Sequence, residues 1–281
     1  MCTLAIYFKV FPSYPVVIAA NRDEFLDRPA SQPIVLARNP EVVGGKDLKA
    51  GGTWLGLNSH GLIAGLLNRR SDLPADPALR SRGLLCLEAL GFATAAEAAR
   101  YVGRQDGADY NFFNLLIASR DQAFVAYNRK GEIELAPLGP GLHLLTNLDV
   151  NDFECPKISL AYDRFAALAR DSVVAPDPPQ MRQALARLLA DHTTQLDSRS
   201  GRLNSLCLHL DGYGTRSSSL IFLGAKPQQV EHFFAEGPPC RTEFKPALIP
   251  GSEASFDEAG RDRGKREASD RDQATGEKNR S

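Results

Sequence analysis

The sequence predicts an α+β protein whose antiparallel sheets are covered by pairs of helices. Three observations carry that expectation. Strand-like runs are short and joined by tight turns, and helix-like segments come in two consecutive pairs. The order strands, helices, strands, helices, strands keeps the two types apart, where a parallel sheet would alternate them. With 281 residues, 43% hydrophobic and 24% charged, the chain has the balance of a globular protein with one large domain or two small ones.

Strands come first. Residues 3–10 and 14–20 are β-branched and aromatic runs separated by Phe11-Pro12-Ser13, which marks a hairpin. Gly44-Gly45 and Gly51-Gly52 bracket Lys46-Asp47-Leu48-Lys49 and read as a turn-rich loop able to cover a pocket. Residues 52–58 and 62–67 flank the turn Ser59-His60-Gly61 and give a second hairpin. Residues 84–90 form an apolar helical stretch, and Thr94-Ala95-Ala96-Glu97 is a capping box leading into a helix through Arg104. Residues 111–119, 122–129, 132–136 and 142–146 then read as short antiparallel strands. Residues 158–170, just after Pro156, and 178–191, with Leu185, Leu188 and Leu189 on one side, form the second helix pair. Strands return at 205–210, 217–223 and 229–235. Residues 251–281 hold 15 charged and five hydrophobic residues, too little apolar surface to offset ordering entropy. A folded body over 1–250 and a disordered charged tail over 251–281 are therefore expected.

Composition removes several function classes. The 33 Lys and Arg stand against 34 Asp and Glu, a net charge of -1. No global positive field gathers phosphate backbones, so nucleic acid is not an expected partner. No apolar run approaches the roughly 18 residues of a membrane span, and Met1-Cys2-Thr3-Leu4 does not open a secretory leader, which makes the cytoplasm the expected location. The five cysteines, at 2, 86, 155, 207 and 240, are odd in number and scattered, which suits a reduced compartment and no disulfide framework. No CxxC, HExxH, EF-hand or P-loop pattern occurs. The histidines His60, His143, His192, His209 and His232 form no i,i+3 or i,i+4 pair, so no metal site is expected.

Cys2 follows the initiator Met. A small second residue lets an aminopeptidase remove Met1, leaving a thiol and a free α-amine on one residue. That amine, with an ordinary pKa of about 8, is placed to take the thiol proton directly or through a water, as Thr and Cys nucleophiles require. A small buried side chain at the start of a strand explains the same residue without chemistry.

Met1-Cys2-Thr3 entering a hairpin, with Asn21-Arg22-Asp23-Glu24 on its second strand, resembles the NRDE family, named for those four residues and also called the transport and Golgi organisation 2 family. Further matches are Gly51-Gly52-Thr53-Trp54-Leu55-Gly56, Leu67-Asn68, Thr146-Asn147 and Tyr213-Gly214-Thr215-Arg216-Ser217-Ser218. The resemblance implies a four-layer αββα sandwich of the N-terminal nucleophile hydrolase type. The choloylglycine hydrolase and penicillin V acylase families are similar as well, since they also begin Met-Cys-Thr, and that similarity implies roles. Asp23 would bond the α-amine, Asn68 and Asn147 would face the oxyanion, and Arg216 would tune the thiolate. Those hydrolases place an Arg three residues before the Asp, where this chain has Ala20, and the Arg here is Arg22. Adjacent strand residues point to opposite faces, so Arg22 either lies behind the sheet or is returned to the site by a bulge. Within the site it would lower the thiol pKa. Between the last glycine of that block, Gly65, and Asn68 this chain has two leucines where those hydrolases have one.

Asn21, Glu24, Trp54 and Arg69 complete the candidate set as substrate contacts. A solvated strand rim accounts for Asn21 to Glu24 equally, and tryptophan is as a type more often core. Arg69-Arg70, with Arg80 and Arg82, could hold a carboxylate or phosphate at a pocket mouth, or decorate a solvated loop. Cys155-Pro156 is like a short haem-regulatory dipeptide, although a proline in a helix's first turn explains it. Two functional readings follow. One is a cysteine hydrolase of a linear amide or acyl thioester that requires no cofactor. The other is a non-catalytic carrier of haem, lipid or acyl-CoA using the same pocket, in line with the lipid and haem homeostasis associated with the NRDE family. Both expect an amphipathic small molecule as partner.

Overall fold

Two antiparallel sheets stack face to face, and each carries a helix pair on its outer side. The structure is a computed structural model that describes residues 2–129, 131–172, 178–197 and 202–252. The predicted tail lies outside the described residues apart from Gly251 and Ser252. In chain order the elements are β1 (Thr3–Phe11), β2 (Tyr14–Phe25), β3 (Ala30–Arg38), β4 (Glu41–Asp47), β5 (Thr53–Asn58) and β6 (Ile63–Asn68), followed by helices α1 (Arg82–Ala89) and α2 (Ala95–Val102). Next come β7 (Phe113–Ala118), β8 (Ala123–Arg129), β9 (Glu132–Pro137) and β10 (Gly141–Leu145), then α3 (Pro156–Ser172) and α4 (Pro178–Leu189). The chain continues through β11 (Gln195–Asp197), β12 (Arg202–Asn204), β13 (His209–Leu210), β14 (Tyr213–Leu223), β15 (Val230–Ala235) and β16 (Lys245–Pro246). One large sheet has the order β10-β1-β2-β14-β15-β16, with β13 also on β14, the other large sheet runs β3 to β9 in sequence, and β11 and β12 pair as a separate two-stranded sheet.

Strand alternation distributes the apolar side chains among three interfaces. Leu4, Ile6, Ile18 and Ala20 point from the first sheet toward Leu55, Leu57, Ile63 and Leu67 of the second. Ala5, Tyr7, Val17 and Ala19 point the other way, onto Ile158 and Phe165 of α3 and Leu185 and Leu189 of α4. On the far side of the second sheet, Ala64, Leu66, Leu115 and Ile117 meet Leu85 and Cys86 of α1 and Ala98 and Val102 of α2. The result is helices, sheet, sheet, helices, the αββα sandwich that the resemblance implied.

Local signals set most boundaries. Thr94 caps α2 by accepting from the Glu97 amide, while the Glu97 carboxylate accepts from the Thr94 amide. Residues 44–47, the first part of the loop expected over 44–52, belong instead to strand β4. A Cβ on Gly44 would fall 2.7 Å from the Leu55 carbonyl oxygen, so the glycines that suggested a loop are what let β4 lie against β5. Likewise a Cβ on Gly52 would fall 2.1 Å from the Gly83 carbonyl carbon. That close approach lets the first turn of α1 lie against the residue leading into β5. Within residues 205–210 only His209–Leu210 is strand.

His232 of β15 is buried, with Nδ1 3.2 Å from the Leu248 carbonyl oxygen and Nε2 without a hydrogen-bond partner among the described residues. Burial lowers its pKa from 6.5 to about 4. Because the folded value lies below the unfolded one, the unfolded chain takes up the proton first. The stabilisation is complete above about pH 6.5 and is lost as pH falls toward 4, by at most about 3 kcal/mol. His232→Gln keeps a donor and removes the titration. Urea unfolding should show a flatter pH dependence for that variant over this window, and identical slopes would assign the acid sensitivity to other groups.

Candidate functional site

The register of β1 positions Cys2. Thr3 pairs with Asn21 and Leu4 with Leu145, so one step further toward the N-terminus Cys2 falls beside Arg22 on one side and Asn147 on the other. Cys2 is half-buried, packs against the inter-sheet core, and donates from Sγ to the Asp23 carbonyl oxygen at 3.6 Å. Burial raises the thiol pKa, and the Asp23 carboxylate adds to the rise. The Asp23 carbonyl contact and the Arg22 charge act in the opposite direction.

Arg22 follows Ala20 on the inter-sheet face of β2, the face that Cys2 shares. Its guanidinium reaches Asp47 of β4, in the opposite sheet, at 3.6 Å and Glu24 at 3.8 Å, while Arg28 closes on the same Asp47 carboxylate at 2.7 Å. Of the two orientations open from the sequence, Arg22 therefore takes the one facing Cys2's side. The irregularity lies in β14 instead, between Thr215 and Ser217, and displaces Arg216 from the regular pairing with β2.

Asp23 faces the other way. Its carboxylate, buried under the helix layer, accepts from Lys157 Nζ at 2.7 Å and from the Thr215 hydroxyl at 2.7 Å. Its carbonyl oxygen accepts from Tyr213 Oη at 3.2 Å as well as from Cys2. Burial, and then the nearby Cys2 and Asp23, push the Tyr213 phenol pKa up. Lys157 is the site-region residue the sequence did not single out. Its only mark was a place in the first turn of α3 after Pro156, immediately before the apolar Ile158.

The remaining candidates divide. Asn147 Oδ1 and Arg216 Nε are buried and make no hydrogen bond among the described residues. The segment bearing Asn147 is clamped by Asn114 of β7, which donates to the Thr146 and Leu148 carbonyl oxygens at 3.0 and 2.6 Å, and by the Arg70 amide, which donates to the Asn147 carbonyl oxygen at 2.8 Å. Arg69 supports that clamp, bonding Asn114 Oδ1 at 3.0 Å and Asp149 at 2.6 Å. Trp54 is half-buried against the inter-sheet core that Cys2 also touches. Glu24 accepts from the Phe25 amide and sits between Arg22 and Arg28. Asn21 is committed elsewhere. Its Nδ2 donates to Leu189 and Leu206 carbonyls at 2.9 Å each, and its Oδ1 accepts from Ser218, so it ties β2 to α4. Asn68 ends β6 exposed, one residue past the inward Leu67.

Arg82 joins the cationic side of this region. Burial and then Arg28 lower its pKa, opposed by Glu24 and Cys2, and its Nη1 donates to the Phe112 carbonyl oxygen at 2.9 Å. Cys155 is fully buried under the Thr146 hydroxyl, and Pro156 opens α3. A groove of about 540 Å³ between α4 and residues 239–244 is lined by none of the candidate residues.

The stacked sheets and outer helices define the N-terminal nucleophile hydrolase fold. The chain resembles the penicillin V acylase of Agrobacterium tumefaciens with a TM-score of 0.54 at 14% identity, covering 84% of this chain and 83% of that one. It also resembles the Caenorhabditis elegans orthologue of N-acylethanolamine-hydrolyzing acid amidase, with a TM-score of 0.51 at 14% identity, covering 78% and 92%. Within that class, residues 1–235 match the family described as Transport and Golgi organisation 2, and the chain belongs to that family. The Bos taurus Transport and Golgi organization protein 2 homolog is 29% identical over 257 residues, and its Homo sapiens counterpart 28% over 249. Each alignment spans 78% of this chain and 88% of the relative. Among the described residues no helix is long and apolar enough to cross a membrane.

Proposed function

We propose that the protein is a cysteine hydrolase of a linear amide or acyl thioester, with Cys2 as nucleophile once Met1 is removed. The observation that carries this reading is the setting of the thiol: on the strand face of Arg22, 3.6 Å from the Asp23 carbonyl oxygen, with that aspartate held by Lys157 and Thr215. Removal of Met1 would expose an α-amine on Cys2 able to accept the thiol proton. The thiolate attacks the substrate carbonyl, whose π electrons move to oxygen. Asn147, through its amide N–H, and the Arg216 guanidinium are the donors proposed for that oxyanion. On collapse the ammonium returns its proton to the leaving amine or thiol, and water then hydrolyses the acyl-Cys2 thioester. No cofactor is needed. The acylase and amidase fold relatives agree with an N-acyl or acyl-thioester substrate of amphipathic character. A cytoplasmic location is part of the proposal, since all five cysteines are free thiols.

One observation favours the carrier reading. Burial raises the Cys2 pKa in the chain that retains Met1, and a neutral thiol binds without attacking. Intact-mass measurement of protein from its native host, followed by incubation with N-acyl amino acids and acyl thioesters, separates the two. The hydrolase requires loss of Met1 and turnover with a transient acyl adduct on Cys2. A chain that keeps Met1, or that loses it and turns over no substrate while binding haem or acyl-CoA at one site, is a carrier.

A further inference from the structure

Four metal-ligand side chains, distant in sequence, converge at one corner of the first sheet. His192 follows α4, Cys207 precedes β13, His209 begins β13, and Cys240 lies in the turn after β15. Their ligand atoms all lie within 4.8 Å of one another. Cys207 Sγ is 3.6 Å from Cys240 Sγ and 3.7 Å from His209 Nε2, and His209 Nε2 is 3.2 Å from Cys240 Sγ. A tetrahedral zinc with Zn–S of about 2.3 Å and Zn–N of about 2.0 Å sets S···S near ~3.8 Å and S···N near ~3.5 Å. Three edges of the polyhedron therefore stand close to their liganded lengths.

The support around the cluster has the same character. His192 Nδ1 lies 3.1 Å from the Cys207 carbonyl oxygen, the backbone contact that fixes a ligating imidazole's tautomer and leaves Nε2 to face a metal. The Cys207 amide donates to the Asp191 carbonyl oxygen at 2.9 Å, and the Ser205 hydroxyl donates to the Cys207 carbonyl oxygen at 2.6 Å. Both contacts fix the backbone that presents the buried sulfur.

We propose that His192, Cys207, His209 and Cys240 form a structural zinc site. The donor set is two sulfurs and two imidazole nitrogens, which suits zinc, and four protein ligands leave no open position for catalysis. On binding, each thiol releases its proton to water and the two thiolates neutralise the dication. The metal would fasten the 205–209 segment to the turn at Cys240. The same segment reaches the candidate site, because the Leu208 amide donates to Thr215 Oγ1 at 2.9 Å and Thr215 in turn donates to Asp23. The proposal does not depend on Cys2 being a nucleophile.

The test uses the full chain, expressed with zinc and kept reduced throughout. Elemental analysis should find about one zinc per chain. After chelation, cobalt(II) titrated at one equivalent should give the intense visible bands of a tetrahedral site together with thiolate-to-cobalt charge transfer, and zinc should displace it. Cys240→Ser, a change in an exposed turn, should weaken cobalt binding by at least about tenfold, whereas His60→Ala, an exposed histidine outside the cluster, should not. Chelation of the unsubstituted protein should lower its Tm, and zinc should restore it, a readout independent of any variant. Metal-free protein whose cobalt spectrum stays weak and octahedral overturns the proposal. So does Cys240→Ser binding cobalt like the parent, or a Cys207–Cys240 disulfide found in place of metal.

Discussion

Lys157→Met should lower the unfolding free energy by about 3–5 kcal/mol, the scale expected when one member of a buried ion pair is deleted. Both side chains are fully shielded from solvent, and the Nζ to Oδ2 distance is 2.7 Å. Methionine nearly matches the lysine stem in volume, so the loss reports removal of the Lys157 charge from beside the buried Asp23 carboxylate, not a cavity. The double variant Lys157→Met with Asp23→Asn removes both charges and should recover a large part of the loss, because a neutral amide is far less costly to bury than a carboxylate. Urea unfolding of the parent, both single variants and the double variant gives the coupling directly. A coupling under about 1 kcal/mol would mean that the pair contributes no more than an exposed salt bridge.

That pair shows where sequence reasoning stopped. Hairpin β1–β2 and the strands around the inter-sheet core were legible because they are continuous apolar, β-branched and aromatic runs bounded by turn residues, and α2 because Thr94 and Glu97 carry a local capping signal. β4 was hidden by Gly44 and Gly45, whose lack of side chains serves packing against β5 and gives no strand signal. Lys157 and Asp23 are 134 residues apart, and no local pattern joins them. The same is true of His192 and Cys240, which rules of fixed ligand spacing cannot reach. Parity decided one site residue. Arg22 shares Ala20's face, so its two-residue displacement from the hydrolase pattern keeps it on the same side of the strand. Asn68 is exposed while Leu67 enters the core. The oxyanion role in the proposed reaction is given to the Asn147 amide N–H and to Arg216, whose Nε is buried and without a hydrogen-bond partner among the described residues.

Cys2→Ala should abolish turnover of N-acyl amino acids and acyl thioesters, a loss of about 10⁴-fold or more in kcat, while ligand affinity changes by less than about threefold. The asymmetry follows from the chemistry: the thiol forms the covalent bond in the reaction, yet as a bystander it offers a ligand only one small polarisable contact. Alanine fits the position, because the Cys2 side chain contributes a single weak bond, Sγ to the Asp23 carbonyl oxygen at 3.6 Å, and Tyr213 still donates to that carbonyl at 3.2 Å. It is also small enough to permit removal of Met1, so processing and nucleophilicity are separated. The measurement pairs steady-state turnover with a binding titration on protein whose N-terminus has been checked by mass. Retained turnover in the alanine variant would remove Cys2 as nucleophile. A parent without turnover, binding the same ligands as tightly as Cys2→Ala does, would leave the pocket as a carrier. A haem spectrum that shifts on the substitution would mark the Cys2 sulfur as an axial ligand.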